Sequence, residues 1–120
     1  MIREVRDKSW LYLVNDEAME NQREIEESVK EPLHKEVGKY LFFSKDRETL
    51  IKLAKKILKK YKLSRAKIPF ESKREFVLCI YDSEPKLKFE LEQFADEGTV
   101  RYRYWKSDRE TIMERRNGKL

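Results

Sequence analysis

The stretch GKYLFFSKDRETLIKLAKKILKKYKLSRAKI, Gly38 to Ile68, decides the fold. Its apolar run Tyr40 to Phe43 reads as a strand. Ser44 and Asp46 then offer side-chain oxygens to the free N–H groups of a starting helix. Leu50, Ile51, Leu53, Ala54, Ile57, Leu58 and Tyr61 recur with a 3.6-residue period, so the helix buries one face and leaves Lys52, Lys55, Lys56, Lys59 and Lys60 on the other. After Leu63 and Ser64 the chain reads as extended through Arg65-Ala66-Lys67-Ile68, because a residue that precedes proline, here Ile68, avoids the helical region. Alternation along that strand puts Arg65 and Lys67 on one face and Ala66 and Ile68 on the other. Two long cations under the helix would be desolvated against Leu50, Leu53 and Ile57 at heavy cost. Ala66 and Ile68 are therefore expected to face the helix, with Lys67 on the open side.

Upstream, Trp10-Leu11-Tyr12-Leu13-Val14 reads as a central strand ended by Asn15-Asp16. Ala18, Met19, Ile25 and Val29 mark a thin apolar stripe over residues 16–30, a peripheral helix stopped by Pro32. Residues 33–38 form a connector, and Gly38 supplies backbone freedom ahead of the next strand. Downstream, Glu71-Ser72-Lys73-Arg74 is a polar turn into Phe76–Tyr81, and the close spacing predicts an antiparallel hairpin. Asp82-Ser83-Glu84-Pro85 resembles a helix start, with Leu87, Leu91, Phe94 and Ala95 on one face and Gly98 as the stop. Arg101-Tyr102-Arg103-Tyr104-Trp105 alternates, which as a strand sets Arg101, Arg103 and Trp105 on one face and Tyr102 and Tyr104 on the other. Ser107 with Glu110 makes a capping box, so residues 108–116 read as a short helix.

The length of 120 residues fits one domain, residues 1–120. Charged residues are 42% of the chain, and they surround periodic apolar blocks with 12% aromatic content, which makes disorder the weaker reading. So many Lys, Arg and Glu also match the surface ion-pair networks of thermophile proteins. The net charge of +5 is divided unevenly. Residues 1–37 hold six Lys and Arg against ten Asp and Glu, a net of −4, which leaves +9 on residues 38–120. An anionic partner belongs with that basic part. The competing reading is that lysines outside an amphipathic helix serve solubility. Cys79, the only cysteine, sits in an apolar run and reads as a buried, inert thiol. No apolar segment approaches a membrane-spanning length and the first residues lack a signal-peptide core, so a cytoplasmic location away from membranes is expected. The sequence carries no metal cluster, glycine-rich phosphate loop or Ser-His-Asp set, and no cofactor is implied.

Three pieces in order, Gly38-Lys39-Tyr40-Leu41-Phe42-Phe43, Ala66-Lys67-Ile68 and Tyr104-Trp105-Lys106-Ser107-Asp108 with Thr111, resemble a family of uncharacterised small proteins. That family has a fold similar to the cap-binding translation initiation factor 4E, and some members are labelled phosphothreonine lyase domains. The resemblance covers about residues 38–116. It implies extended chain after the Tyr-Lys-x-Asp turn, against the helix read for residues 108–116, and that boundary stays open. It also implies a test of the lyase label. Phosphothreonine lyases carry a His-Val-Ser whose His is the general acid, and a Lys on the following strand as base. Here Phe42-Phe43-Ser44 stands at the first place and Lys67 at the second, so the acid is missing. His34, the only histidine, lies in the connector. Cap recognition needs two aromatic planes about a charged base, and Trp10 and Trp105, one of them expected in the core, do not single out such a pair.

Both relatives hold phosphate on a basic concave sheet face, which Arg65, Lys67, Arg103 and Lys106 supply here. The rival is pairing of these residues with Glu across strands. Arg101, Tyr102, Tyr104 and Trp105 interleave charge with stacking surface, as single-strand binders do. The expected architecture is α+β, a largely antiparallel twisted sheet with two or three helices on one face, initiation-factor-4E-like. The expected function is a binding module for a phosphorylated or nucleic-acid ligand, with a lyase-like enzyme or a protein-interaction module as alternatives.

Overall fold

In the computed structural model, which describes residues 2–18, 38–82, 86–95 and 98–107, the chain is α+β. Six described strands form one antiparallel sheet: β1 (Ile2–Arg6), β2 (Trp10–Asn15), β3 (Gly38–Ser44), β4 (Arg65–Pro69), β5 (Phe76–Asp82) and β6 (Arg101–Ser107). Their order across the sheet is β1-β2-β4-β5-β3-β6. Helix α1 (Arg47–Tyr61) covers one face and buries Leu50, Ile51, Ala54, Ile57 and Leu58. These meet Leu11 and Leu13 of β2, Tyr40 and Phe42 of β3, Ala66 and Ile68 of β4, and Leu78 and Ile80 of β5, all buried. The phase of β4 thus follows the desolvation argument, with Ala66 and Ile68 inward.

Local chemistry sets both ends of α1. Asp46 has an extended backbone and accepts from the N–H of Glu48 at 3.1 Å and the hydroxyl of Thr49 at 2.8 Å. At the other end Lys62 takes the left-handed conformation, φ 54°, and releases the chain toward β4. Asn15 ties this end to the sheet: its Nδ2 donates to the Leu58 carbonyl at 3.1 Å and its own N–H donates to Ser64 O at 2.8 Å. The hairpin between β4 and β5 is antiparallel, as its short polar turn requires.

Ile2–Arg6 forms an edge strand. Trp10–Asn15 is an interior strand, paired with β1 on one side and β4 on the other. Two expectations change. In place of the helix expected between the Asp82–Pro85 start and the Gly98 stop, residues 86–90 make turns and Leu91–Phe94 a single 3-10 turn, with residues 83–85 and 96–97 outside the described residues. Leu87 and Leu91 are both buried, and one bond from Leu91 N–H to Leu87 O joins them, so two apolar residues a turn apart mimic a helix face. Gly38 lies within β3, where its role is steric: a Cβ there would stand 2.5 Å from Trp105 Cε2 and 2.8 Å from Lys106 O. Residues 16–18 begin helically, and the rest of the helix read to residue 30, the connector with His34, and residues 108–116 lie outside the described residues.

Candidate ligand-binding sheet face

The face of the sheet away from α1 is organised in cross-strand rows. The middle row runs Tyr12–Lys67–Cys79–Leu41–Arg103. A second row carries Lys39 between Tyr81 and Lys106. A third sets Phe43 between Val77 and Arg101. Val77, Cys79, Leu41 and Phe43 form an apolar centre in which Cys79 and Leu41 are buried, Lys67 and Arg103 flank it, and Lys39 of β3 stands at its end. Cys79 is buried, as its apolar setting requires.

On the β4 side, each cation rests on an aromatic ring. The Arg65 guanidinium is 4.5 Å from the centroid of Tyr81, and Lys67 Nζ is 4.1 Å from Trp10 and 5.9 Å from Tyr81. Such contacts fix the position of a long cationic side chain. Trp10 is itself held by the turn before β2. Asp7 Oδ1 accepts the N–H of Ser9 at 2.8 Å and of Trp10 at 2.7 Å. These two backbone bonds, with lesser help from Tyr12 and the charge of Lys67, hold the Asp7 carboxyl below the usual carboxylate range. On the β6 side Arg101 lies 5.0 Å from the Phe43 ring and pairs with Glu75 at 2.9 Å.

Arg65, Lys67, Arg103 and Lys106 all belong to the open face, but in two groups. Lys67 and Arg103 share a row with β5 and β3 between their strands, a separation of ~14 Å at the usual ~4.8 Å per strand. Lys67 moreover leans on Trp10 of β2, the side away from β6. Arg101, a cation of the face outside this set of four, pairs with a carboxylate, Glu75, at 2.9 Å.

The second group of predicted residues is divided by a bulge. Tyr40 opposes Trp105 whereas Leu41 opposes Arg103, so the register shifts at Tyr104. Arg101 and Arg103 keep the open face. Trp105, expected beside them, turns to the α1 side with Tyr102 and packs against the core. Its ring meets Tyr40 edge-on at 5.2 Å, while Tyr102 lies 4.8 Å from Phe42 and donates its hydroxyl to Lys88 O at 2.6 Å. The side chain of Tyr104 lies outside the described residues. The open-face rings are instead Trp10, Tyr12, Phe43 and Tyr81. Trp10 and Tyr12 alternate with buried Leu11 and Leu13, a signal present in the sequence once the inward phase of that strand is known.

Phe42 and Lys67, the positions matched to a lyase acid and base, stand on opposite faces. Phe42 is fully buried under α1 and Lys67 is half-buried on the open side. Among the described residues no three His, Cys, Asp or Glu side chains gather to hold a metal ion, and no helix is long and apolar enough to cross a membrane. No family model, curated protein or solved structure matches the chain.

Proposed function

We propose that the protein is a binding module for a phosphate-bearing ligand, phosphorylated or nucleic acid, held on the open sheet face. The observation that carries this reading is the repeated seating of cations on rings across one face: Arg65 on Tyr81, Lys67 on Trp10 and Arg101 on Phe43. A guanidinium or ammonium held in this way loses less freedom when it engages phosphate, and charge-assisted bonds to phosphate oxygens are the strong class. The rings add planar surface for a base. The motif order that resembles the initiation-factor-4E-like family agrees with a phosphate-holding sheet and is part of the same proposal.

The test is an NMR titration at low salt with inorganic phosphate, a phosphothreonine peptide and an oligouridylate. Amide shifts are expected to cluster on β4, β5 and β6. Shifts gathered on Lys52–Lys60 of α1, or none with any of the three ligands, overturn the assignment to this face.

A further inference from the structure

We infer that the protein self-associates through the outer edge of β1, which pairs antiparallel with β1 of a second copy about a two-fold axis at Val5. Pairing of this edge does not depend on the ligand proposed above. Among the described residues β1 ends the sheet, and no strand lies on its outer side. Which of its backbone groups face outward follows from the turn into β2. The N–H of Asp7 donates to the carbonyl of Trp10 at 3.1 Å, so these two residues form a hydrogen-bonded pair, and such pairs alternate along an antiparallel ladder. Val5 with Tyr12 and Arg3 with Val14 are therefore bonded inward, whereas Ile2, Glu4 and Arg6 turn their N–H and C=O groups to the free edge. Val5 is 40% exposed, a large apolar residue left open at that edge.

The charges of β1 select the register. Charged edge strands resist pairing when like charges meet, and two copies of one strand meet so that the residue on the axis faces itself. An axis at Arg3, Glu4 or Arg6 sets like charges directly opposite, which destabilises a sheet pair. An axis at Val5 sets valine against valine in a close, non-hydrogen-bonded pair and places Glu4 opposite Arg6 of the second copy on both sides of it. Glu4 and Arg6 are residues with outward backbone groups, so each of these pairs also exchanges both of its backbone hydrogen bonds. Ile2, Glu4 and Arg6 oppose the buried Asn15, Leu13 and Leu11, so with the axis perpendicular to the sheet they lie on the α1 side in both copies. The side chains are placed for this contact. Arg6 rests 5.8 Å from the centroid of Phe70 and has no carboxylate partner among the described residues. Glu4 meets Lys55 at 3.7 Å, a long exposed contact that holds the carboxylate weakly.

The experiment is sedimentation equilibrium of the full chain from ~10 µM to ~1 mM, because a contact between two edge strands belongs to the small, weak class of interfaces. It compares the wild type with Val5→Lys, Glu4→Arg, Arg6→Glu and the double variant Glu4→Arg/Arg6→Glu. All three positions are exposed, and melting temperatures at low concentration verify the fold. The wild type is expected to dimerise within that range. Each single variant sets like charges across or beside the axis and is expected to weaken association at least ~10-fold, whereas the double exchange restores the pairs with reversed sign and returns it to within a few-fold of the wild type. Hydrogen exchange at the amides of Glu4 and Arg6 is expected to slow as concentration rises, and at Val5, bonded to β2 already, to change little. A monomer throughout the range overturns the inference. So does a dimer that the single variants leave intact, which belongs to another surface, or one that the double exchange fails to restore, which is held by other groups. None of these outcomes alters the expectation of phosphate binding.

Discussion

Gly38 of β3 packs its bare Cα against the indole of Trp105 on β6, and a methyl group at that position would also stand 2.8 Å from Lys106 O. The close approach lets Trp105 lie edge-on to Tyr40 and seals the sheet edge over the core. Gly38→Ala is expected to displace Trp105 and destabilise the fold by ~1–3 kcal/mol, the usual cost of overpacking. Urea unfolding followed by tryptophan fluorescence checks the midpoint. Gly98→Ala tests the contrasting case: its φ of 85° is strained for any side chain although nothing lies within reach of a Cβ.

The Tyr40 hydroxyl joins two segments at the end of the sheet, donating to Asp82 at 2.9 Å and accepting the N–H of Leu87 at 3.0 Å. Tyr40→Phe removes that acceptor from a buried N–H and is expected to cost ~1–3 kcal/mol. Burial is the main reason that the Tyr40 hydroxyl is pushed well above the ordinary tyrosine range, with the Asp82 charge adding to it. The neutral form is thus favoured by folding. Its contribution is complete below the unfolded value, ~10, and declines as pH rises above it. Melting temperature measured from neutral to alkaline pH should fall less steeply in Tyr40→Phe than in the wild type.

Asn15 is a buried polar residue whose amide donates to the Leu58 carbonyl near the end of α1. Asn15→Leu is expected to cost ~1–3 kcal/mol, since the bond is lost and a buried carbonyl loses a donor. Hydrogen exchange should show the loss concentrated in the last turn of α1 and the start of β4. Uniform acceleration across the sheet would contradict a local role.

The cap at Asp46 gives an acid-side dependence. The hydroxyl of Thr49, then the N–H of Glu48, hold this carboxyl below its ordinary value. Its contribution is therefore present above the unfolded value of ~3.9 and is lost as pH falls toward the lower folded one. Asp46→Asn keeps a capping oxygen, so it should retain the fold at neutral pH and reduce the slope of stability between pH ~5 and ~3. Circular dichroism melts across that range provide the measurement.

Readable parts of the sequence were those in which an apolar period is long or has a stop. Helix α1 shows four turns of one face and a carboxylate cap, and β4 shows two cations whose burial would be costly, which fixed the side of Ala66 and Ile68. The errors have equally physical sources. Strand β1 has four of five residues exposed and so lacks the buried alternation that marks a strand. In Leu87–Phe94 the spacing of Leu87 and Leu91 carries a helical period, yet Phe89 between them is 74% exposed and the chain closes only a 3-10 turn. At Tyr104 a register shift against β3 inverts the outer end of β6. Strict alternation cannot anticipate such a bulge, because the extra residue is defined by the partner strand. That shift moved Trp105 from the open face to the core, while Arg101 and Arg103 stayed where alternation put them.

The account depends on the sheet face, and not the lysine row of α1, holding the anionic ligand, so charge reversal on each surface tests it most directly. Arg103→Glu on β6 and Lys59→Glu on α1 change net charge equally, and both side chains are exposed. Affinity for an oligouridylate at low salt is predicted to fall by at least ~10-fold in Arg103→Glu, where a phosphate contact becomes a repulsion, and by no more than a few-fold in Lys59→Glu, where only the long-range field changes. Equal losses in the two variants, or a larger loss in Lys59→Glu, would contradict the account.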